Sequence, residues 1–531
     1  MQKFLPLVLS TTLLLSCISC GVSGQAGQSE SKTTTQTQET SSSDGQSSKS
    51  SGGQESTSSD GQDSSTQKGQ MPPDGQTPPN GQTPPNGQTP PDGQTPPNGQ
   101  TPPDGQAPPD GQAPGNGQGG PGGSSSSDVT YSGATEITSK KTQNHKTYKS
   151  TKSDENAVLV STDSNVTIND PTVTKTGNSD GGDSCNFYGL NAALLVKGGT
   201  TTTINGGTIT SDADGANGVF CYGGNGGQNG ASGDGTTAIV RNTKIKTTGN
   251  GSGGIMTTGG GTTYAYNLDI TTSGRSSAAI RSDRGGGTVK VTGGTYTTNG
   301  LGSPAIYSTA DISVSKAKLV SNLSEGVCIE GLNSITLKNC NLTANNTKRN
   351  GNATFLDSIM LYQSMSGDAA SGTTNFTMKG GSLTSKSGHV FHVTNTTAKI
   401  TLSNVKIKNK DKSNVLLSVC DDGWSGGSNK ATLNASKQKL SGAVLVGSNS
   451  KLTMKLTKGS SFKGYVSGKI KNASGKSISS KVGKVSVTLD STSTWTLTAD
   501  SYVTEFNGDA SNVISNGHTL YVNGVALKGT K

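Results

Sequence analysis

Apolar residues recur with a long period through the C-terminal three quarters of this 531-residue chain. One apolar position returns every 23 to 41 residues, and the shortest intervals set a base period of about 23–25. A second, mostly apolar position lies five residues earlier, and a third lies seven residues earlier in many units. This alternation of period two predicts a strand with one buried face in each unit. The recurring position is occupied by Val173, Ile209, Ile245, Ile270, Tyr296, Leu319, Leu342, Leu383, Ile407 and Leu440.

A corner residue accompanies most of these positions. Asn, Asp or Gly, the residues that tolerate a left-handed backbone, stand three residues before the recurring position. A bend there would turn the chain from the first strand of the unit into a second strand. The predicted corners are Asp170, Gly206, Asn242, Asn267, Gly293, Asn339, Gly380 and Asn404.

A third apolar run follows a few residues later in each unit, as in NAALLV, NGVFCY, SAAIR and SPAIY. Three short strands per unit, with a corner, are typical of a solenoid whose coils stack about 4.8 Å apart. The sequence therefore predicts an all-β fold, a single-stranded parallel β-helix of about fifteen coils over residues 128–531, roughly 70 Å long. A tandem of β-sandwich modules would repeat at about 100 residues instead.

The N-terminus has the pattern of a secretion signal, and we assign residues 1–17 to it. Lys3 precedes an apolar run that is too short to span a bilayer. The following Leu-Leu-Ser-Cys resembles the lipobox of bacterial lipoproteins, in which the cysteine is lipidated, so we expect Cys17 to carry the lipid. Cys20 is the alternative lipid site, and plain secretion is the alternative fate. On this interpretation the chain lies at the cell surface, anchored by lipid to a bacterial membrane.

Residues 18–127 form a spacer rich in Ser, Gly, Gln and Pro, with repeated PPDGQ and PPNGQ units. Such a low-complexity sequence cannot bury enough apolar surface to offset chain entropy, so we expect it to be disordered. Its proline pairs favour an extended conformation. The spacer would hold the β-helix away from the membrane; a docking ligand for another domain is the alternative.

Composition and charge bear on the partner. The chain has 76 Gly, 28% hydrophobic residues and a net charge of +9. The region from residue 398 onward has 19 Lys against 7 acidic residues, a net charge of +12. A basic surface attracts anionic partners, and we expect an acidic polysaccharide or another glycan of a host or wall surface. Nucleic acid is not expected, since no recognition motif is present. A solvated basic face is the alternative.

Several segments resemble a known family. NGVFCYGG, SSAAIRSDRGGGTV, GSPAIYSTADI, SEGVCIEG and LYQSMSGDA are similar to an adhesin-like family of surface lipoproteins in anaerobic gut bacteria. The resemblance covers residues 150–530 or so and implies a right-handed β-helix of pectin lyase type. It implies a setting at the cell surface and no established activity. Lyase motifs do not transfer to particular positions of this chain.

The outward positions of the third strands supply the candidate site. If the apolar residues of these strands point inward, their neighbours stack on one outer face, in a shallow groove suited to sugars. An ordinary solvated face is the alternative, and for the Arg-Ser-Asp-Arg segment a structural salt bridge at a glycine-rich bend. We assign no catalytic residue. The candidate ligand-binding residues are Tyr222, Arg281, Asp283, Arg284, Tyr307, Glu330 and Trp424.

The residues that could hold a metal ion or form a disulfide are aspartates in glycine-rich loops, two histidines and the cysteines. Asp180, Asp183, Asp212, Asp214 and Asp234 lie in glycine-rich loops, where calcium is possible, but the spacing of a full calcium loop is missing. We therefore expect no cofactor. The two histidines of GHVFHV are three residues apart, which predicts opposite faces of a strand and no zinc pair. The remaining cysteines are expected in the core, with a Cys328–Cys340 bridge as the alternative.

These observations favour a monomeric cell-surface lipoprotein whose β-helix rod serves adhesion or glycan binding. Two alternatives stay open: a carbohydrate-active enzyme, either a polysaccharide lyase or a hydrolase, and a passive structural protein of the surface.

Overall fold

The computed structural model describes residues 129–179, 182–225, 232–424 and 427–531. The signal peptide with Cys17 and Cys20, the spacer, Asp180 and the side chain of Asp183 lie outside the described part. Within that part, no helix has the length and apolar character required to cross a membrane.

The described chain is a parallel β-helix, as the repeat predicts. The third strands of the units form one parallel sheet of fifteen strands, each hydrogen-bonded to the strands of the coils before and after it. Its strands are Glu136–Ile137, Val158–Ser161, Leu194–Lys197, Val219–Tyr222, Ile255–Thr258, Ile280–Ser282, Ile306–Ser308, Val327–Glu330, Asp357–Tyr362, His389–Thr394, Val415–Val419, Lys439–Val446, Ser461–Ser467, Thr494–Leu497 and Val513–Ile514.

The first and second strands of the units form a sheet of 22 strands that continues around the corner, since two long strands run through it. The strands are Lys141–Asn144, Thr147–Ser150, Val166–Asn169, Thr172–Lys175, Thr201–Asn205, Thr208–Ser211, Thr237–Arg241, Lys244–Thr247, Gly261–Tyr266, Asp269–Thr272, Gly287–Thr292, Thr295–Thr298, Asp311–Ser315, Lys318–Ser321, Ser334–Ala344, Thr373–Ser385, Thr396–Ser403, Lys406–Asn409, Asn429–Ser436, Lys451–Thr457, Lys484–Leu489 and Glu505–Asn507.

Short elements complete the described structure. They are the helix Asp183–Phe187, a 3-10 turn at Ala510–Asn512, an antiparallel pair of Ile470–Lys471 with Ser477–Ser479, and a small sheet of Ser501–Val503, Leu520–Val522 and Val525–Ala526.

The predicted register is confirmed by the strand pairing. Val173 pairs with Ile209, Ile209 with Ile245, and the series continues coil by coil to Ile407. The residues five positions earlier pair in the same way. Their side chains fill one continuous interior along the rod. The narrow interior explains why 28% hydrophobic residues suffice.

The corner prediction is also confirmed. All eight predicted corner residues have positive φ angles, between 47° and 73°. Lys316 and Lys437 occupy the same corner in their coils, with φ of 55° and 51°. A long cationic side chain is not a typical choice for this conformation, so residue type alone did not reveal these two corners.

Candidate functional site

The third strands place the predicted stripe on the outer face of their sheet. Arg281 pairs with Met256 on one side and with Tyr307 on the other, as the alternation predicts. Glu330, however, lies in a neighbouring row, because Ile306 pairs with Val327 and not with Ile329. The rows nevertheless meet through side chains, since the Tyr307 hydroxyl donates a hydrogen bond of 2.6 Å to Glu330 Oε2.

The prediction of a shallow groove is wrong for these residues, because the outer face of this sheet is covered. Arg281, Asp283, Tyr307 and Glu330 are completely buried, and Trp424 is 4% exposed. The loops between strands vary in length, and several fold back over the sheet. Arg281, Asp283, Tyr307 and Glu330 therefore lie in a second, polar interior beneath these loops and do not line an open surface.

Glu330 is the centre of one buried cluster. Its carboxylate accepts hydrogen bonds from the hydroxyls of Tyr307, Tyr362 and Ser364, with the Tyr362 contact at 2.9 Å. Trp424 packs on the Tyr362 ring with 5.0 Å between centroids. Burial raises the pKa of Glu330, although the hydroxyl donors oppose the shift. The cluster ties the loop that follows Tyr362 to the sheet beneath it.

The Arg-Ser-Asp-Arg segment forms one buried and one partly buried ion pair. Arg281 Nη2 lies 2.8 Å from Asp283 Oδ2, which confirms the structural salt bridge considered from the sequence. Arg284 instead contacts Asp368 at 2.8 Å and stacks over the Phe187 ring. Burial raises the pKa of Asp283 to about 7, although Arg281 opposes the shift. These contacts fix the helix that ends at Phe187 and the loop that carries Asp368 against the sheet.

Tyr222 belongs to a neighbouring apolar cluster. Its ring meets Tyr188 edge-on, with 5.6 Å between centroids, and the side chain is 3% exposed. Phe187, Tyr188 and Phe220 are members of the same cluster. Tyr222 thus packs the short helix Asp183–Phe187 and the residues after it onto the sheet.

A third buried cluster contains His389 and His392. Both Nδ1 atoms lie within hydrogen-bond distance of Ser418 Oγ, at 2.7 and 2.8 Å. The prediction of opposite strand faces is wrong, because Val390 and Phe391 both enter the core and this irregularity leaves both histidines outside. Burial and the neighbouring His392 lower the pKa of His389 to about 3.

This histidine cluster contains the serine, histidine and aspartate of a hydrolase triad, but its serine is not accessible to a substrate. His392 Nε2 lies 3.1 Å from Asp422 Oδ2, and His392 stacks on the Phe355 ring. Ser418 is completely buried, so its hydroxyl has no path to a substrate in this conformation. Burial would raise the pKa of Asp422, but hydrogen bonds from His392 and Thr354 outweigh it and lower the pKa. The contacts connect two neighbouring strands with the loops that carry Phe355 and Asp422.

Metal and cysteine chemistry adds no further site in the part of the chain described here. Asp214 accepts a hydrogen bond from the Asn250 amide, and Asp234 accepts two from Thr236. No group of three potential ligands that could hold a metal ion is present among the described residues. Cys328 and Cys340 are buried, as are the other described cysteines, and they form no disulfide with each other, so the alternative of a bridge between them is wrong.

An open pocket lies beside the Glu330 cluster, and the sequence did not predict it. It has a volume of about 800 Å³ and is bounded by the loop after Tyr362, by the starts of strands Thr373–Ser385 and Thr396–Ser403, and by Gly427 and Ser428. None of its described lining residues is charged. Six hydroxyls and two side-chain amides line it, from Ser364, Ser371, Thr373, Thr396, Thr397, Ser428, Gln363 and Asn395.

The walls of this pocket are held by hydrogen bonds. Ser364 donates to the buried Glu330, and Asn395 Nδ2 donates to the Gln363 carbonyl at 2.8 Å. Thr397 Oγ1 and Ser428 Oγ lie 3.2 Å apart at the rim. Met365, which is 64% exposed, also lines the pocket. The pocket is formed by an insertion that interrupts the repeat, so no periodic signal in the sequence marks it.

Comparisons of this chain with family models, with curated proteins and with solved structures found no match.

Proposed function

We propose that this chain is a cell-surface protein whose β-helix binds saccharide chains, with the pocket beside Tyr362 as the binding site. The observation that carries the proposal is the lining of that pocket, which combines six hydroxyls and two amides with no charge. Neutral donors and acceptors of this kind exchange hydrogen bonds with sugar hydroxyls, and they leave no buried charge unpaired. An exposed methionine adds an apolar surface for a sugar ring.

The residues around the pocket support this proposal, because they hold its walls in place. The hydrogen bonds of Ser364 and Asn395 hold the pocket walls on the rigid stack of strands. A site that is ordered before the ligand arrives loses less conformational entropy on binding. A lipid on Cys17 and the spacer of residues 18–127 would present this site outside the cell, where glycans occur.

Removing two rim hydroxyls tests the pocket. The variant T397V/S428A loses two hydrogen-bonding groups that lie 3.2 Å apart while keeping the shape of the rim. We expect roughly 30-fold weaker binding to the neutral oligosaccharides that the full chain selects on a glycan array, since each of the two hydrogen bonds contributes about 1 kcal/mol. The thermal midpoint should be unchanged.

The matched control is T292V/S315A. Ser315 Oγ lies 3.3 Å from Thr292 Oγ1 on the outer face of an earlier coil, outside the pocket. This variant should bind like the parent chain. Equal binding by both variants, or no binding of any neutral glycan by the full chain, would overturn the pocket as the site.

A further inference from the structure

A row of outward side chains runs from the rim of the pocket along the rod. Thr373 pairs with Thr397, and Thr397 pairs with Lys430 in the next coil. Lys430 pairs with Lys451, and Lys451 pairs with Lys484. Adjacent paired strands lie about 4.8 Å apart, so this distance also separates the successive lysines of the row. We call Lys430, Lys451 and Lys484 the lysine ladder.

The ladder is an exposed, positively charged surface. All three lysines are exposed, and none takes part in an ion pair among the described residues. Lys399 and Lys455 lie on the same outer face of the sheet, at nearby positions of the paired strands. Glu505 lies on the strand that pairs with Lys484–Leu489, and its pKa is lowered by hydrogen bonds and by Lys451. Like charges directly opposite each other destabilise a sheet, so an anionic partner would relieve the repulsion.

We propose that the lysine ladder is a docking surface for a linear acidic polysaccharide bearing uronate groups, which runs along the rod from the pocket. This inference rests on the proposed saccharide site and extends it by naming the charge class of the ligand. A chain of 1,4-linked pyranose rings advances by about one strand spacing per ring, so the rings of such a chain and the lysines of the ladder have similar spacing. The row from Thr373 to Lys484 supplies this path without a break in pairing.

The outward positions around the ladder favour a polysaccharide over other polyanions. On the four strands from Thr396–Ser403 to Lys484–Leu489, the outward residues are Lys, Thr, Ser and Asn. These strands therefore offer no aromatic ring on which a nucleobase could stack. They also offer no apolar side chain that would enter a lipid surface. Hydroxyls and amides between the lysines match the hydroxyls of a sugar chain.

The test compares two triple variants of the full chain. K430Q/K451Q/K484Q removes the ladder, and K244Q/K246Q/K318Q removes the same charge from exposed lysines of second strands in earlier coils. Binding to polygalacturonate, alginate and hyaluronan is measured by affinity electrophoresis at several salt concentrations. At low salt we expect the ladder variant to bind roughly tenfold to 100-fold more weakly than the parent, and the control to bind within about threefold of it. The salt dependence of binding should also be shallower for the ladder variant.

The outcomes separate this inference from the pocket proposal. If the ladder variant loses uronate binding while T397V/S428A still binds neutral and acidic glycans, the ladder proposal is supported and the pocket proposal is overturned. If T397V/S428A loses binding of neutral glycans while the ladder variant and its control bind uronates equally, the pocket proposal is supported and the ladder proposal is overturned. Tighter binding of single-stranded DNA than of the three uronate polymers overturns the choice of ligand. No binding of any of these polymers overturns the docking surface.

Discussion

The Tyr307 hydroxyl donates to the Glu330 carboxylate at 2.6 Å, although the two residues belong to different rows of the same sheet. Both are completely buried on what would otherwise be the outer face of the β-helix. The same carboxylate accepts from Ser364, which lines the pocket. One buried acid therefore connects the stack of strands to the wall of the proposed binding site.

Replacing Glu330 tests this connection. Glu330→Ala should lower the free energy of unfolding by about 3 kcal/mol, because three buried hydroxyls lose their acceptor. Glu330→Gln, which retains one acceptor oxygen, should cost less. Denaturant unfolding measures both, and hydrogen exchange should show faster opening of residues 363–372 in the alanine variant. Unchanged exchange in that loop would contradict the connection.

The corner lysines give a prediction of increased stability. Lys316 has a φ of 55°, a conformation that asparagine adopts more readily than lysine. Lys316→Asn should therefore raise the free energy of unfolding by up to about 1 kcal/mol. Lys318→Asn, at an exposed position of the following extended strand, removes the same charge without the corner and is the control. Stabilisation of equal size in both variants would attribute the effect to charge instead.

His389 predicts a loss of stability in acid. The unfolded chain binds a proton at this residue below about pH 6.5, whereas burial lowers the folded pKa to about 3. Between these values the unfolded state binds more protons, so stability from this residue falls as pH decreases, by about 1.4 kcal/mol per unit. Buried Glu325, Glu330 and Asp357, whose pKa values are raised by burial, act in the opposite direction.

A variant isolates the histidine from these carboxyls. The difference in unfolding free energy between the parent and His389→Gln should shift by roughly 3 kcal/mol against the parent between pH 7 and pH 4. T292V/S315A, which changes no titratable group and lies outside this cluster, should show no such shift. A difference that stays constant with pH would mean that His389 is protonated in the folded chain.

The N-terminal prediction concerns lipidation. The Leu-Leu-Ser-Cys sequence predicts that Cys17 carries the lipid. Metabolic labelling with a clickable fatty acid should mark the parent chain and not Cys17→Ser. Labelling that disappears only in Cys20→Ser would move the site to that residue, and labelling of neither chain would favour plain secretion.

Much of the fold was determined by local sequence. Asn267 and Gly293 tolerate positive φ, and Ile270 and Tyr296 follow them at fixed spacing, so corner and strand could be assigned from residue chemistry. The lysine ladder had a signal of the same kind. Lys430, Lys451 and Lys484 each precede an inward residue of the first strand by five positions, at Ala435, Leu456 and Leu489. That signal was missed because the register was not extended beyond residue 450 or so.

The candidate site depended on tertiary structure. Alternation showed that Arg281 and Tyr307 point away from the core, but it could not show which distant loops cover them, since Asp368 reaches Arg284 from 84 residues away. The pocket beside Tyr362 likewise forms where an insertion meets Gly427 and Ser428, which lie two coils further along. Periodic pairing is a local property and can be read from spacing, whereas the packing of irregular loops depends on contacts between residues that are far apart in the chain.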